Sequence, residues 1–197
     1  MKKSFDKIWL TILLLIVADL SLTLSYEMPT PSPLDFSLKD VNGKVHNLSD
    51  YKNSKAIVIM FIATECPVSN AYNKRIAELY KNYKDKQISF IGINSNKAED
   101  IDAIKIHAQK NKLAFPILKD EENKVADNYG ASVTPEIFVL SPDYKLLYHG
   151  RIDDSRNEDG VTNKDLENAL NEILAGKEVT VNETKAFGCT IKRVSND

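Results

Sequence analysis

The stretch AIVIMFIATECPVSN, residues 56–70, decides the fold of this chain. Its first seven residues are apolar and mostly β-branched, which is typical of a strand that is buried on both faces. Pro67 stands at a position that opens helices, and apolar residues then recur at helical spacing as far as Tyr83. Cys66 is therefore expected where a buried strand passes into a helix, which we predict over residues 67–84.

Cys66 is the first candidate catalytic residue. A thiol at the start of a helix meets unpaired backbone N–H groups and the positive end of the helix dipole. These can lower the pKa of a cysteine from about 8.5 to roughly 3.5–7.5. The thiolate is the nucleophile, so this position favours thiol chemistry. The alternative is that Cys66 is a small apolar residue of the core, as free cysteines often are.

A second signal lies at Thr134 and Pro135, directly before the apolar run 136–140. Proline cannot donate a hydrogen bond to a sheet, so it is typical of the start of a strand. A cis X–Pro bond is a favoured explanation for such a turn. We expect Thr134 and Pro135 to shape a groove that faces Cys66.

The rest of the chain alternates strands with helices. We predict a hairpin over 36–48, strands at 56–62, 88–93, 115–118, 136–140 and 145–149, and helices over 67–84, 97–110, 122–129 and from Thr162 to Gly176. Asn96, with Glu99 three residues later, fits a capping box for the second helix. This order predicts an α/β fold, with a central mixed sheet flanked by helices and an N-terminal hairpin.

The segments 61–67, 91–96, 133–136 and 150–154 resemble the redoxin family. This family is the peroxiredoxin-like branch of the thioredoxin superfamily, also called alkyl hydroperoxide reductase/thiol-specific antioxidant. The resemblance covers residues 34–193, and its tail sequence Gly188-Cys189-Thr190-Ile191-Lys192 is similar to the ending of one peroxiredoxin-like subgroup. It implies a thioredoxin-like fold and a thiol-dependent antioxidant oxidoreductase that exchanges disulfides or reduces peroxides. No cofactor or metal is implied, and the partner is a thiol or disulfide reductant protein or a peroxide.

The resemblance also assigns supporting residues. Peroxiredoxins carry a threonine three residues before the cysteine, where this chain has Ala63, and Thr64 is the nearest candidate. An arginine that stabilises the thiolate is expected, and Arg151 is the natural choice. The alternative for Arg151 is a salt bridge to Asp153 or Asp154. Thr134 and Pro135 complete the supporting set.

Cys189 is the candidate resolving thiol. Ser69 stands where a dithiol oxidoreductase carries its second cysteine, so Cys66 needs an external thiol or Cys189. The separation of the two cysteines resembles that of the peroxidatic and resolving cysteines in two-cysteine peroxiredoxins. A permanent disulfide and no pairing at all are the alternatives. A redox-inert binding domain on a thioredoxin scaffold and a metal- or haem-handling partner are the other function classes.

The N-terminal residues are predicted to be a targeting element. Residues 1–25 combine lysines at positions 2, 3 and 7 with an apolar run, which is typical of a signal peptide or of a membrane tether through residues 8–24. Residues 26–33 are predicted to be a linker, 34–176 the redoxin domain and 177–197 a tail carrying Cys189. We therefore expect an extracytoplasmic protein. The net charge of −2 gives no reason to expect nucleic acid binding.

Overall fold

Strand β3, Ala56–Phe61, is the central strand of a five-stranded sheet in the computed structural model, which describes residues 34–194. The other described strands are β1 Ser37–Lys39, β2 Val45–Asn47, β4 Ile88–Asn94, β5 Ile117–Lys119, β6 Val133–Thr134, β7 Glu136–Leu140, β8 Leu146–Gly150 and β9 Cys189–Thr190. The described helices are α1 Pro67–Ala71, α2 Asn73–Tyr83, α3 Ile101–Lys110, α4 Lys124–Tyr129 and α5 Asp165–Leu174.

The central sheet has the strand order β5-β4-β3-β7-β8 and is mixed. Strand β4 runs parallel to both β3 and β5, whereas β7 runs antiparallel to both β3 and β8. Strands β1 and β2 form the separate antiparallel hairpin. The predicted α/β fold, with a mixed sheet and an N-terminal hairpin, is therefore confirmed.

Helices cover both faces of this sheet, because β3 sends alternate side chains into two different cores. Val58 and Met60 pack in one core with residues of α2, α3 and α5, such as Ile76 and Leu170. Ile57, Ile59 and Phe61 pack in the other core with residues of α4. A strand buried on both faces requires a continuous apolar sequence, which explains the opening stretch of the chain.

All four predicted helices differ from the observed ones, and α4 begins at Lys124 instead of residue 122. The helix predicted over 67–84 divides at Tyr72, whose N–H bonds to the carbonyl of Ser69 in a tighter turn. Helix α3 begins at Ile101 and is capped by Asp100, not by Asn96. Helix α5 begins at Asp165, since the Thr162 hydroxyl donates to Asp154 instead of capping the helix.

The hairpin turn between β1 and β2 contains Gly43, which has a positive φ of +84°. The Asp40 carboxylate accepts hydrogen bonds from the N–H groups of Asn42 and Lys44 in this turn. The turn is therefore fixed by a buried carboxylate.

The predicted targeting element, 1–25, and the linker, 26–33, lie outside the described residues. Within residues 34–194, no helix combines the length and the apolar character needed to cross a membrane. The domain limits given above stay a prediction.

Candidate active site

Cys66 lies at the junction between β3 and α1 and is the N-cap residue of that helix. Its backbone is extended, Pro67 occupies the first helical turn, and its Sγ accepts a hydrogen bond from the Ser69 N–H at 3.3 Å. The Ser69 hydroxyl in turn accepts from the Ala63 N–H at 3.2 Å. Cys66 is only 5% exposed. Its sulfur thus accepts one backbone hydrogen bond, from Ser69, at the predicted strand–helix junction.

Cys66 and Cys189 form a disulfide within one chain. The two residues are 123 positions apart in sequence, and their Cα atoms are separated by 5.8 Å. This distance lies within the usual range for disulfides. The two predicted catalytic cysteines therefore meet, and they meet within a single chain.

Thr134 and Pro135 lie on the other side of the disulfide. The peptide bond between them is cis, and the Thr134 carbonyl oxygen lies 3.3 Å from Sγ of Cys66. Strand β9 pairs antiparallel with β6, which places Cys189 directly opposite Thr134. Gly188 is required here, because a Cβ at that position would lie 2.0 Å from the Thr134 oxygen. The predicted supporting residues Thr134 and Pro135 are thus at the disulfide.

Glu99 holds the loop that precedes Cys66. Its carboxylate accepts hydrogen bonds from the backbone N–H of Thr64 at 2.6 Å and of Glu65 at 3.3 Å. It also accepts from the Asn94 side chain at 2.6 Å. Glu99 is 5% exposed, so these donors replace the water that a carboxylate would otherwise bind. Thr64, a predicted supporting residue, takes part through its backbone.

Glu136 holds the segment that receives Cys189. One carboxylate oxygen accepts from the N–H groups of Ser132 and Val133 at 2.8 and 3.1 Å, and the other contacts His149 Nε2 at 2.8 Å. The His149 ring stacks on Phe138, with centroids 4.4 Å apart. Two buried glutamates therefore fix the backbone around the disulfide: Glu99 holds the loop before Cys66, and Glu136 holds the segment on which Cys189 docks.

The tail is bound to the domain by many contacts besides the disulfide. Before Cys189, the Thr184 hydroxyl contacts Tyr148 at 2.8 Å and Phe187 packs on the ring of Tyr72. After it, Ile191 is buried in the core beside α4. The N–H groups of Lys192 and Val194 donate to the side chains of Asn96 and Asn123, at 2.8 and 2.7 Å respectively.

Arg151 is engaged away from the disulfide. Its Nε donates to Asp165 at 2.7 Å. The salt bridge of Arg151 is therefore formed with Asp165, and not with Asp153 or Asp154 as the alternative prediction had it. The described contacts of Arg151 do not include Cys66. The exposed Arg156 contacts the start of α1, where its Nη2 donates to the Pro67 carbonyl at 3.4 Å.

Two basic groups face Glu99. Burial lowers the pKa of Lys119, although the negative charge of Glu99 opposes the shift. Burial also lowers the pKa of His107, again against the opposing charge of Glu99. Lys119 donates to the Asn96 carbonyl at 2.6 Å and so links the network of Glu99 to the residue that binds the tail. Among residues 34–194, no group of acidic, histidine or cysteine side chains could hold a metal ion.

The roles of Glu99 and Glu136 escaped the sequence analysis. Glu99 sits three residues after an asparagine, which suggested a helix cap, but its partner Thr64 lies 35 positions away. Glu136 directly follows the Thr-Pro pair, and that position was the available signal. An acidic residue beside a proline that starts a buried strand is costly to bury unless it binds backbone donors.

Comparison with known proteins identifies the family. Residues 30–149 match the AhpC/TSA family. Thiol-disulfide oxidoreductase ResA of Bacillus subtilis (strain 168) is 28% identical over 115 residues, which are 57% of this chain and 62% of the relative. Peroxiredoxin Q, chloroplastic, of Triticum aestivum is 33% identical over 110 residues, 56% of this chain and 48% of the relative. The chain thus spans about half to three-fifths of these curated relatives.

Solved structures extend the likeness to more than four-fifths of the chain. An uncharacterized conserved protein of Geobacillus kaustophilus is 35% identical with a TM-score of 0.78, over 83% of this chain and 90% of the other. A hypothetical protein of Sinorhizobium meliloti 1021 is 32% identical with the same TM-score of 0.78, over 82% and 92%. A secreted disulfide oxidoreductase of Mycobacterium tuberculosis, at 18% identity and a TM-score of 0.57, shares the fold. The chain therefore has a thioredoxin-like fold and belongs to the AhpC/TSA family.

Proposed function

We propose that this protein is a thiol-dependent oxidoreductase that cycles Cys66 and Cys189 between a dithiol and a disulfide. The observation that carries the proposal is their disulfide, placed at a helix start and beside the Thr134–Pro135 turn. The curated relatives are a thiol-disulfide oxidoreductase and a peroxiredoxin, both of which fit such a pair. Cys66 is the nucleophile and Cys189 is the resolving thiol.

The oxidising half of the cycle takes two electrons from the pair. With a hydroperoxide, the Cys66 thiolate attacks the O–O bond and becomes a sulfenic acid, while the alcohol or water leaves. Cys189 then attacks the Cys66 sulfur, and water leaves as the disulfide forms. With a disulfide, Cys66 displaces one thiolate and forms a mixed disulfide, from which Cys189 displaces the second. Both routes end in the observed bond.

The reducing half of the cycle starts at Cys189. Cys66 is almost fully buried, whereas Cys189 is half-buried, so an external thiolate reaches Cys189 more readily. Attack at Cys189 releases Cys66 as a thiolate, which keeps the hydrogen bond from the Ser69 N–H. A leaving thiolate that is stabilised in this way speeds the exchange. A second thiol of the reductant then frees Cys189 and completes the cycle.

The partner of this cycle is a thiol protein that supplies both electrons, and we place the reaction outside the cytoplasm. This location rests on the charged and apolar N-terminal sequence, which is typical of an export signal or membrane tether. A disulfide that must form in each cycle also suits an oxidising compartment.

Alkylation and mass spectrometry test the proposal. The reduced protein is exposed to hydrogen peroxide or to hydroxyethyl disulfide, quenched with an alkylating agent, and its free thiols are counted. We expect loss of two thiols, and their return with dithiothreitol. Cys189→Ser should stop at a sulfenic acid or a mixed disulfide on Cys66, and Cys66→Ser should remain unreacted.

Each variant is the control for the other, because both lose the same disulfide and the stability that it provides. A difference between them therefore reports the separate roles of Cys66 and Cys189. If dithiothreitol did not reduce the disulfide of the folded wild-type protein, the proposal would be contradicted. That result would assign the pair to a structural role in a redox-inert binding domain.

A further inference from the structure

The edge of strand β6 beside Pro135 is covered by the protein's own tail. Strand β9 pairs with β6 through Thr134 and Cys189, and the Ile191 N–H donates to the Ser132 carbonyl at 2.9 Å. Such an edge is where an extended polypeptide would add as a further strand. At Gly188 the two backbones touch so closely that even a Cβ would not fit. No room is left there for a second chain.

The contacts that keep the tail in place do not pass through the disulfide. Ile191 is 3% exposed, which makes it an apolar anchor two residues after Cys189. Arg193 binds Asp127 through Nε at 3.0 Å and the Ala131 carbonyl through Nη2 at 2.7 Å. The Lys97 N–H donates to the Lys192 carbonyl at 3.0 Å, so this stretch is bound from both sides.

The receiving surface is equally fixed without the disulfide. Glu136 holds the N–H groups of Ser132 and Val133, and Asn96 and Asn123 are buried residues that belong to the polar network of β4 and α4. Asn123 donates to the Ser95 carbonyl as well as accepting from Val194. None of these hydrogen bonds involves a sulfur atom of the disulfide.

From these contacts we infer that the tail stays on the β6 edge in both redox states and so excludes extended polypeptides as oxidising substrates. This inference rests on the proposed thiol cycle. Cys66 then accepts oxidising equivalents from small molecules, whose O–O or S–S bond reaches the sulfur without strand pairing. Cys189 stays opposite Thr134 and closes the disulfide by a short local movement. The reductant avoids this limit because it attacks Cys189, the more exposed residue of the pair.

Hydrogen exchange tests whether the tail stays bound. In the full chain, the amides of Ile191, Lys192 and Val194 should be protected to a similar degree before and after reduction with dithiothreitol. Loss of their protection on reduction, by tenfold or more relative to the amides of β3, would overturn the inference. This measurement needs no variant, so it does not depend on the folding of one.

Oxidation rates test the substrate class. Reduced wild-type protein should lose its thiols at least tenfold faster with hydroxyethyl disulfide than with insulin at equal disulfide concentration. The double variant I191S/R193A removes two anchors and should bring the insulin rate towards the small-disulfide rate. The control K177A/K185A changes two exposed side chains of the tail and should leave the ratio unchanged.

The outcomes separate this inference from the proposed function. Equal wild-type rates with insulin and with hydroxyethyl disulfide would refute the exclusion of polypeptides while supporting the thiol cycle. Protected tail amides in a reduced protein that reacts with neither disulfide nor with hydrogen peroxide would refute the thiol cycle, and the substrate inference would fall with it.

Discussion

Gly188→Ala should slow the closure of the Cys66–Cys189 disulfide by about 10- to 100-fold. The new Cβ would lie 2.0 Å from the Thr134 oxygen and 2.6 Å from its carbonyl carbon. Real Cβ atoms essentially never approach a heavy atom closer than 3.0 Å, so the strands must separate by about 1 Å. Displacements of this size cost roughly 10²-fold in a positioned reaction.

The disulfide has little room for that displacement. Its Cα atoms are 5.8 Å apart, and bridges are rarely found beyond about 6.8 Å, so a 1 Å movement can use the whole margin. Overpacking of this kind also destabilises a protein by about 1–3 kcal/mol. We therefore expect a lower free energy of unfolding of the oxidised Gly188→Ala variant as well as slower closure.

The closure rate is measured by oxidising the reduced protein, quenching samples at successive times with an alkylating agent, and counting the free thiols by mass spectrometry. Gly43→Ala is the control, because its new Cβ would meet no atom within 4 Å, although its positive φ causes some strain. Gly43→Ala should close its disulfide at the wild-type rate. If Gly188→Ala did the same, the docking of β9 on β6 would not set the geometry of the reaction.

The remaining predictions concern the nucleophile and the network around it. Cys66→Ser should abolish thiol-dependent turnover while keeping a cooperative thermal transition; full residual turnover would exclude Cys66 as the nucleophile. Glu99→Gln places an amide where two backbone N–H groups need acceptors, so the alkylation rate of reduced Cys66 should change by tenfold or more. The control Glu178→Gln changes an exposed side chain and should leave this rate unchanged. Burial lowers the pKa of folded His107, so the unfolded chain binds more protons and the stability of the wild type should fall as the pH drops below about 6.5. His107→Gln should weaken this dependence in urea unfolding, and an unchanged pH profile would count against it.

The position of Cys66 could be predicted because its signals are adjacent in the sequence. The apolar strand, the cysteine and Pro67 follow one another, and each acts on its neighbour through local backbone geometry. The same holds for Pro135, which directly precedes the strand that it starts. These local rules were enough for the sheet, its hairpin and the strand–helix junction at which Cys66 lies.

The rest of the site could not be predicted because its contacts connect distant parts of the chain. Glu99 binds Thr64 across 35 positions, and Asn96 binds Lys192 across 96. A local reading assigned Asn96 and Glu99 to a helix cap, but satisfying buried backbone donors took precedence over capping. Arg151 shows the same limit, since its partner Asp165 became visible only in the folded chain.

Docking of the tail should link the stability of the fold to the reduction potential of the pair. Joining residues 123 positions apart stabilises a protein by roughly 4–5 kcal/mol in the chain-entropy model. Around a thermodynamic cycle, the same free energy favours the disulfide in the folded chain over the unfolded one by about 10³-fold. A variant that weakens the tail, such as Ile191→Ser, should therefore also raise the reduction potential, by about 30 mV for each 1.4 kcal/mol of coupling that it removes. Redox titration with glutathione and urea unfolding of both redox states measure the two quantities. The linkage would be refuted if the variant lost the difference in free energy of unfolding between the oxidised and reduced states while the reduction potential of the pair stayed constant.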